Sequence, residues 1–336
     1  MPSEREVAAA LLDEIPACLK RLARRLAADQ PALGHDALNR AVREAILHAA
    51  EARLWADAGS FSAEVLGQVY ERLLEKEVRI AADGRAVLTA ARQRNRAAGV
   101  YYTPGYVVDY IVRKAVGPRL AGFDPTSTAP LKILDPACGA GSFLLGTYRF
   151  LLDWHRDFYT THSPEDHAQK HDPRLCHGQD GRWHLTTAER KRILLGSVFG
   201  VDLDPQAVEV AKRALAFTMR QDAPRPQSEA PCDLGSNMVC GDSLLDFEAV
   251  MPAGQGFDVV LGNPPYRRER GSKPLLTPLD GTAFAEKYRA ARMDLWYYFA
   301  HRGLELLRPG GVLSFIVSAY WTAGAGAERL VASLQR

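Results

Sequence analysis

Val259-Val260-Leu261-Gly262-Asn263-Pro264-Pro265-Tyr266 decides how the rest of this chain is read. The run 259–261 is apolar and mostly β-branched, which predicts a strand buried on both faces of a parallel sheet. It ends on a glycine and is followed at once by an amide side chain, two prolines and an aromatic ring. In open α/β sheets, ligands and chemistry gather at such carboxyl ends. Pro264 lacks a backbone donor and biases Asn263 toward extended geometry, and both prolines have φ nearly fixed before folding begins. The expected product is a stiff spur carrying one amide, bare carbonyl oxygens and an aromatic face.

Two readings of that spur are open from its own residues. One is a Pro-Pro turn after a strand. The other is a cradle for an aromatic amine such as the exocyclic NH2 of adenine, a poor nucleophile because its lone pair is delocalised into the ring. The side-chain oxygen of Asn263 and the main-chain oxygen of Pro264 can accept from its two N–H bonds. They would draw the nitrogen toward tetrahedral geometry and free the lone pair to attack. Tyr266 is placed to stack on the ring.

Composition frames the choice. With 336 residues, 47% hydrophobic and 24% charged, the chain can bury one large core and a smaller domain. A net charge of +2 predicts at most a local patch for a polyanion. Cys18, Cys138, Cys176, Cys232 and Cys240 are scattered, odd in number and never spaced Cys-x-x-Cys, so a reducing compartment and no structural zinc are expected. No apolar signal core or membrane-length run is present, which makes the cytoplasm the expected location.

Residues 1–97 are expected to form a helical domain. Leu11, Leu12, Ile15, Leu19, Leu22 and Leu26 recur at helical spacing, Val42, Ile46 and Leu47 continue it, and 65–74 carries one apolar stripe. The Asp and Glu-x-Lys pattern of a metal-dependent nuclease is not found there. Arginines at 92, 94 and 96 predict a solvated linker, with a phosphate-facing patch as the alternative. Thr103 is placed as an N-cap with Pro104 at the first helical position, a hydroxyl-capped terminus that suits a carboxylate.

A strand over 131–134 then runs into Asp135-Pro136-Ala137-Cys138-Gly139-Ala140-Gly141-Ser142, a glycine turn opening a helix. G-x-G-x-x-G is absent, and Asp135 ahead of the glycines would repel a pyrophosphate. It would attract a ligand bearing an ammonium and a sulfonium, which describes S-adenosylmethionine. Six histidines at irregular spacing over 153–190 predict an exposed insertion, not a metal site. Thr186 and Glu189 fit a capping box. The second strand, 198–202, ends in acids, with Asp202 placed for the ribose hydroxyls, and leads into a helix over 207–220 and a loop at 222–231. A third strand begins at 238, after which Asp242 reads either as a turn former or as an acceptor for the cofactor's adenine amine. The basic run 267–273, with Lys287, Arg289 and Arg292 beyond it, fits a phosphate backbone gripped around an extruded base. A helix from about 293, with Trp296, Tyr297, Tyr298 and Phe299 in the core, stops at the glycines 310–311. A fifth strand at 312–318 and the start of a helix after 323 follow.

GVYYTP at 99–104, DPACGAGSFLL at 135–145, GVDLDP at 200–205, GDSL at 241–244 and NPPY at 263–266 together resemble the gamma-type, adenine-specific amino-group DNA methyltransferases of type II restriction-modification and related phage-defence systems. LGQVYERLL at 66–74 resembles their helical connector. The resemblance implies an α/β fold: the doubly wound, mostly parallel, Rossmann-like sheet of class I S-adenosylmethionine-dependent methyltransferases at 98–336, preceded by the helical domain at 1–97. It implies that Thr103 meets the cofactor's carboxylate, that Asp135, Ala137 and Gly139 line its amino-acid moiety, that Asp202 takes the ribose and Asp242 the adenine. Asn263, Pro264 and Tyr266 would hold a flipped adenine of double-stranded DNA, with no metal and no general base.

Members of that family continue past the fifth strand into a hairpin and a target-recognition domain. The expectation is therefore either a truncated gene product or an N-terminal piece that needs a second chain, with the fifth strand as an apolar edge. Two rivals stand beside the resemblance. A protein-glutamine methyltransferase acting on release factors also carries an NPPY spur, although GVYYTP, the PACG turn and the insertion at 153–190 argue against it. A non-catalytic DNA-binding remnant is the other.

Overall fold

The computed structural model describes residues 4–30, 33–56, 63–83, 85–90, 103–178, 180–221, 232–245, 256–266, 277–290, 293–319, 321–323 and 326–335. The arginines at 92–96, the GVYY segment at 99–102, the loop 222–231, the basic run 267–273 and Arg292 lie outside them. The chain divides into two compact units, Met1–Tyr102 and Thr103–Arg336.

The first unit packs α1 (Glu4–Asp29), α2 (His35–Ala56) and α3 (Glu64–Leu74) through the stripes the periodicity predicts. Ile15, Leu19, Val42, Ile46, Leu47, Val65, Leu66, Val69, Tyr70 and Leu73 are all buried. It is not wholly helical. An antiparallel hairpin, β1 (Lys76–Ile80) and β2 (Ala86–Ala90), follows α3. The cause is local: Val78 and Ile80 are β-branched residues at two-residue spacing, and a turn containing Asp83 separates the strands. Asn39 of α2 clips the hairpin in place by accepting from Val78 N at 2.9 Å and donating to Val78 O at 3.0 Å.

The second unit is built on an all-parallel sheet of β3 (Ile133–Asp135), β6 (Val198–Asp202), β7 (Met238–Cys240), β8 (Phe257–Gly262) and β9 (Leu307–Phe315). Their spatial order is β7-β6-β3-β8-β9. The chain leaves β3 toward β6 and β7, then crosses to β8 and β9, so β3 stands at the topological switch point where a crevice opens. This is the doubly wound, Rossmann-like sheet. Helix α4 (Gly105–Leu120) packs beside β8 and β9, and α5 (Ser142–Thr161) packs beside α4 and β6. Every residue of β8 is buried, as expected for a central strand with neighbours on both sides whose run Val259–Leu261 is apolar.

Local expectations change near the end of the chain. The helix expected to stop at the glycines 310–311 already ends at Leu306, and Pro309-Gly310-Gly311 lies inside the fifth strand. That segment bulges within β9, since Leu307 pairs with Phe257 and Val312 with Val259, and Gly310 supplies the positive φ of 77°. The closing helix is short, Glu328–Leu334.

The insertion at 153–190 is anchored rather than simply exposed. Here α5 gives way to α6 (Pro164–Ala168) and the hairpin β4 (Leu175–His177) with β5 (Trp183–Leu185). Tyr159, fully buried, donates to Glu189 Oε1 at 2.7 Å and accepts from Arg174 Nη1 at 2.9 Å, while His167 packs on its ring. Among the described residues no group of histidines, cysteines and acids is arranged to hold a metal ion. Thr186 caps α7 (Thr187–Ser197) by accepting from Glu189 N, but the Glu189 carboxylate turns to Tyr159 and Arg192 and leaves the box half-closed.

Candidate active site

The turn after β3 is stitched to the end of β6. Cys138 N donates to Val201 O at 2.9 Å and Gly139 N to Asp202 Oδ2 at 2.8 Å. Gly139 and Gly141 have φ of 52° and 90°, where L side chains are strained. A Cβ on Gly141 would come within 2.9 Å of Ala211 Cβ, so that glycine lets α5 pack on α8 (Pro205–Arg220). A Cβ on Gly139 would meet nothing within 4 Å, which leaves open space beside the backbone where a ligand can approach.

The third strand end joins the same cluster. Gly241 N donates to Asp202 O at 3.0 Å, and Ser243 Oγ donates to Pro136 O. Asp242 is seen in its turn-forming role, its Oδ1 accepting from Leu244 N at 2.8 Å and Leu245 N at 3.2 Å.

At the end of β8, Gly262 has φ of 150°, and a Cβ there would lie 2.5 Å from Asp135 Oδ1. The spur therefore leaves the sheet directly against the first acid. Asn263 Nδ2 donates to Thr103 Oγ1 at 3.1 Å. Thr103 is buried, at 6% exposure, and does not cap a helix: Pro104, with ψ of 138°, is the N-cap of α4 and makes no side-chain capping bond. The extended Pro104 displaces the helix start by one residue and turns the Thr103 hydroxyl to the spur. Pro264 is buried, and Tyr266 OH donates to Ile316 O at 2.6 Å just beyond β9. Ala137 and Tyr266 both rest on the buried cluster that contains Trp296, Tyr298 and Phe299 of α9 (Leu295–Leu306).

Thr103, Asp135, Ala137, Gly139, Asp202, Asp242 and Asn263 thus gather at one end of the sheet. Lys287 and Arg289, read as phosphate contacts, pair with Glu305 and Asp280 instead.

The electrostatics suit a cation. Asp135 is 2% exposed, and burial, followed by the charge of Asp202, pushes its carboxyl up to about 8 although Ala137 N donates to it. Burial also raises Asp202, against donation from Asp204 N and Gly139 N. Neither makes an ion pair with a basic side chain among the described residues. A positive ligand would return both to the ionised form. S-adenosylmethionine, with its ammonium and sulfonium, matches this donor set and the open space beside Gly139.

Sequence reasoning missed three features. The Gly262–Asp135 approach and the Thr103–Asn263 bond join residues far apart in the chain and leave no local signal. Leu203 had one: an apolar residue between two acids at a strand end, and it is 62% exposed there.

The sequence model of the Eco57I restriction-modification methylase family matches residues 196–335. The chain is similar to the type II restriction enzyme and methyltransferase RM.Eco57I of Escherichia coli, 26% identical over 280 residues, covering 76% of this chain and 27% of that protein. It is also similar to the adenine-specific methyltransferase PglX of Streptomyces coelicolor, 30% identical over 145 residues, covering 43% of this chain and 10% of that one. Among solved structures it shares the fold of the DrdV–DNA complex, with TM-score 0.52, 15% identity, and coverage of 97% of this chain and 37% of that one. The resemblance carried by the motifs, to adenine-specific methyltransferases of restriction-modification and defence systems, is the one these comparisons return. The chain spans about a quarter of the length of RM.Eco57I.

Proposed function

We propose that this chain carries the catalytic unit of an adenine-specific DNA methyltransferase, moving a methyl group from S-adenosylmethionine to the exocyclic amino group of a flipped adenine. The observation that carries the reading is the meeting of Asn263 and Gly262, at the end of β8, with Asp135 at the switch point and with Thr103. The cofactor, when bound, supplies an electrophilic sulfonium methyl. Everything else falls to the chain's own residues.

Asp135 and the backbone at Ala137 and Gly139 hold the amino-acid moiety, Thr103 the carboxylate, Asp202 the ribose, and Asp242 the adenine amine, with Leu203 against the adenine face. Asn263 Oδ1 and Pro264 O accept from the two N–H bonds of the target amine, and Tyr266 fixes the plane of the base. Catalysis is then alignment of the attacking nitrogen and solvation of the positive charge that develops on it. The methylated ammonium is acidic enough to pass its proton to water, so no dedicated base is needed. Double-stranded DNA is the partner, opened at one base at a cost of a few kcal/mol, roughly. Sequence choice is assigned to a separate recognition domain, in the same or a second chain.

The test is incubation of the protein and methyl-labelled cofactor with unmodified duplex DNA and, in parallel, with a release factor, followed by nucleoside and peptide analysis. Label in N6-methyladenine is expected. Label on a glutamine of a release factor, with none in DNA, would transfer the assignment to the protein-modifying rival.

A further inference from the structure

Thr103 lies 160 positions from Asn263 in the chain, yet its buried hydroxyl accepts from the half-buried Asn263 amide, with Nδ2 and Oγ1 3.1 Å apart. A primary amide has one donor edge and one acceptor edge, and which edge faces the base decides whether the spur can work. An acceptor is needed against the target N–H. With Nδ2 committed to Thr103, the Oδ1 edge is the one turned the other way. Were the amide rotated by half a turn, its NH2 would confront the amine's own hydrogens.

A threonine hydroxyl can also accept and donate at once. Accepting from Asn263 leaves the Thr103 O–H able to donate, and a hydroxyl that donates to an anion becomes a better acceptor. From this geometry we infer that Thr103 is a positioning residue for Asn263, setting its amide orientation and reporting to it when a carboxylate occupies the crevice. This rests on the proposed methyl transfer for its meaning, although the bond itself can be tested without turnover.

The chain has four asparagines, Asn39, Asn95, Asn237 and Asn263. Selective ¹⁵N-asparagine labelling therefore gives four side-chain amide pairs, and the pair missing from Asn263→Asp identifies Asn263. In the wild type this pair is expected to exchange slowly with solvent and to shift further on addition of S-adenosylmethionine. Thr103→Val, nearly isosteric, is expected to speed its exchange and abolish the cofactor-dependent shift, and Thr103→Ser to restore both. Kinetics give the second readout. Thr103→Val should lower kcat at saturating cofactor by about 10- to 100-fold, the scale of a misplaced reacting group, and Thr103→Ser should recover most of it.

An unchanged Asn263 amide in Thr103→Val would overturn the inference. So would a variant whose only defect is weaker cofactor binding with kcat intact, or one that Thr103→Ser fails to rescue in either readout. Absence of methyl transfer by the wild type, with the amide responses as expected, would instead count against the proposed reaction and leave the positioning role standing.

Discussion

Asp135 and Gly262 show how closely the crevice is fitted. A methyl group added at Gly262 must enter the space of the Asp135 carboxylate, at a φ that L residues rarely adopt. Gly262→Ala is expected to cost about 1–3 kcal/mol in urea denaturation and to weaken cofactor binding in calorimetry. Asp135 has a pH signature as well. It keeps its proton up to about pH 8 in the folded chain, whereas an unfolded aspartate loses it near pH 4, roughly. Between these values the folded state holds more protons. Stability therefore falls as pH rises from about 4 to about 8, and levels off above. Asp135→Asn should flatten that slope in denaturation midpoints taken across the window. For the same reason a cationic cofactor should bind with release of protons, and more tightly toward pH 8. Calorimetry in buffers of different ionisation enthalpy counts those protons, and binding without proton release would contradict the assignment.

The strands present two ends with different tasks. At the amino end of β8, Asp258 accepts from Lys132 N at 2.8 Å and pairs with Arg308 at 3.1 Å and Arg119 at 3.8 Å, locking β8 to the entry of β3 and the start of β9. Asp258→Ala orphans a backbone donor and should cost about 1–3 kcal/mol, read as a lower urea midpoint, while cofactor affinity at the opposite end stays near wild type. Elements with a strong internal pattern were legible in the sequence. The unbroken apolar run of β8, the glycine turn after β3 and the stripes of α1, α2 and α3 each depend on neighbours a few residues away. The β1–β2 hairpin was not legible, because two five-residue strands beside long helices give too short a window for alternation to stand out. The anchoring of the insertion was hidden for another reason: Tyr159 is buried by Glu189 and Arg174, residues that only tertiary structure brings to it.

Taken whole, the second unit puts three strand ends and one proline spur around the switch point of the sheet, where Asp135 and Asp202 make no ion pair with a basic side chain among the described residues. The doubly wound sheet could be anticipated through the family resemblance that the motifs at the strand ends carry, not from the order of the strands, which the sequence does not state. The side-chain meetings could not, since Thr103 with Asn263 and Gly262 with Asp135 are set by the order in which strands lie side by side. No helix among the described residues is long and apolar enough to cross a membrane. The proposed reaction depends on Asn263 more than on any other side chain, and it assigns base activation to a side chain that is not itself placed to hold the cofactor. The most direct measurement pairs cofactor affinity by calorimetry with methyl transfer to unmodified duplex DNA, in the wild type and in Asn263→Ala. The expected result is affinity within about threefold of wild type and transfer reduced by about 100-fold or more, as when a group stabilising developing charge is lost. Transfer at the wild-type rate in Asn263→Ala, or a variant that no longer binds cofactor, would contradict it.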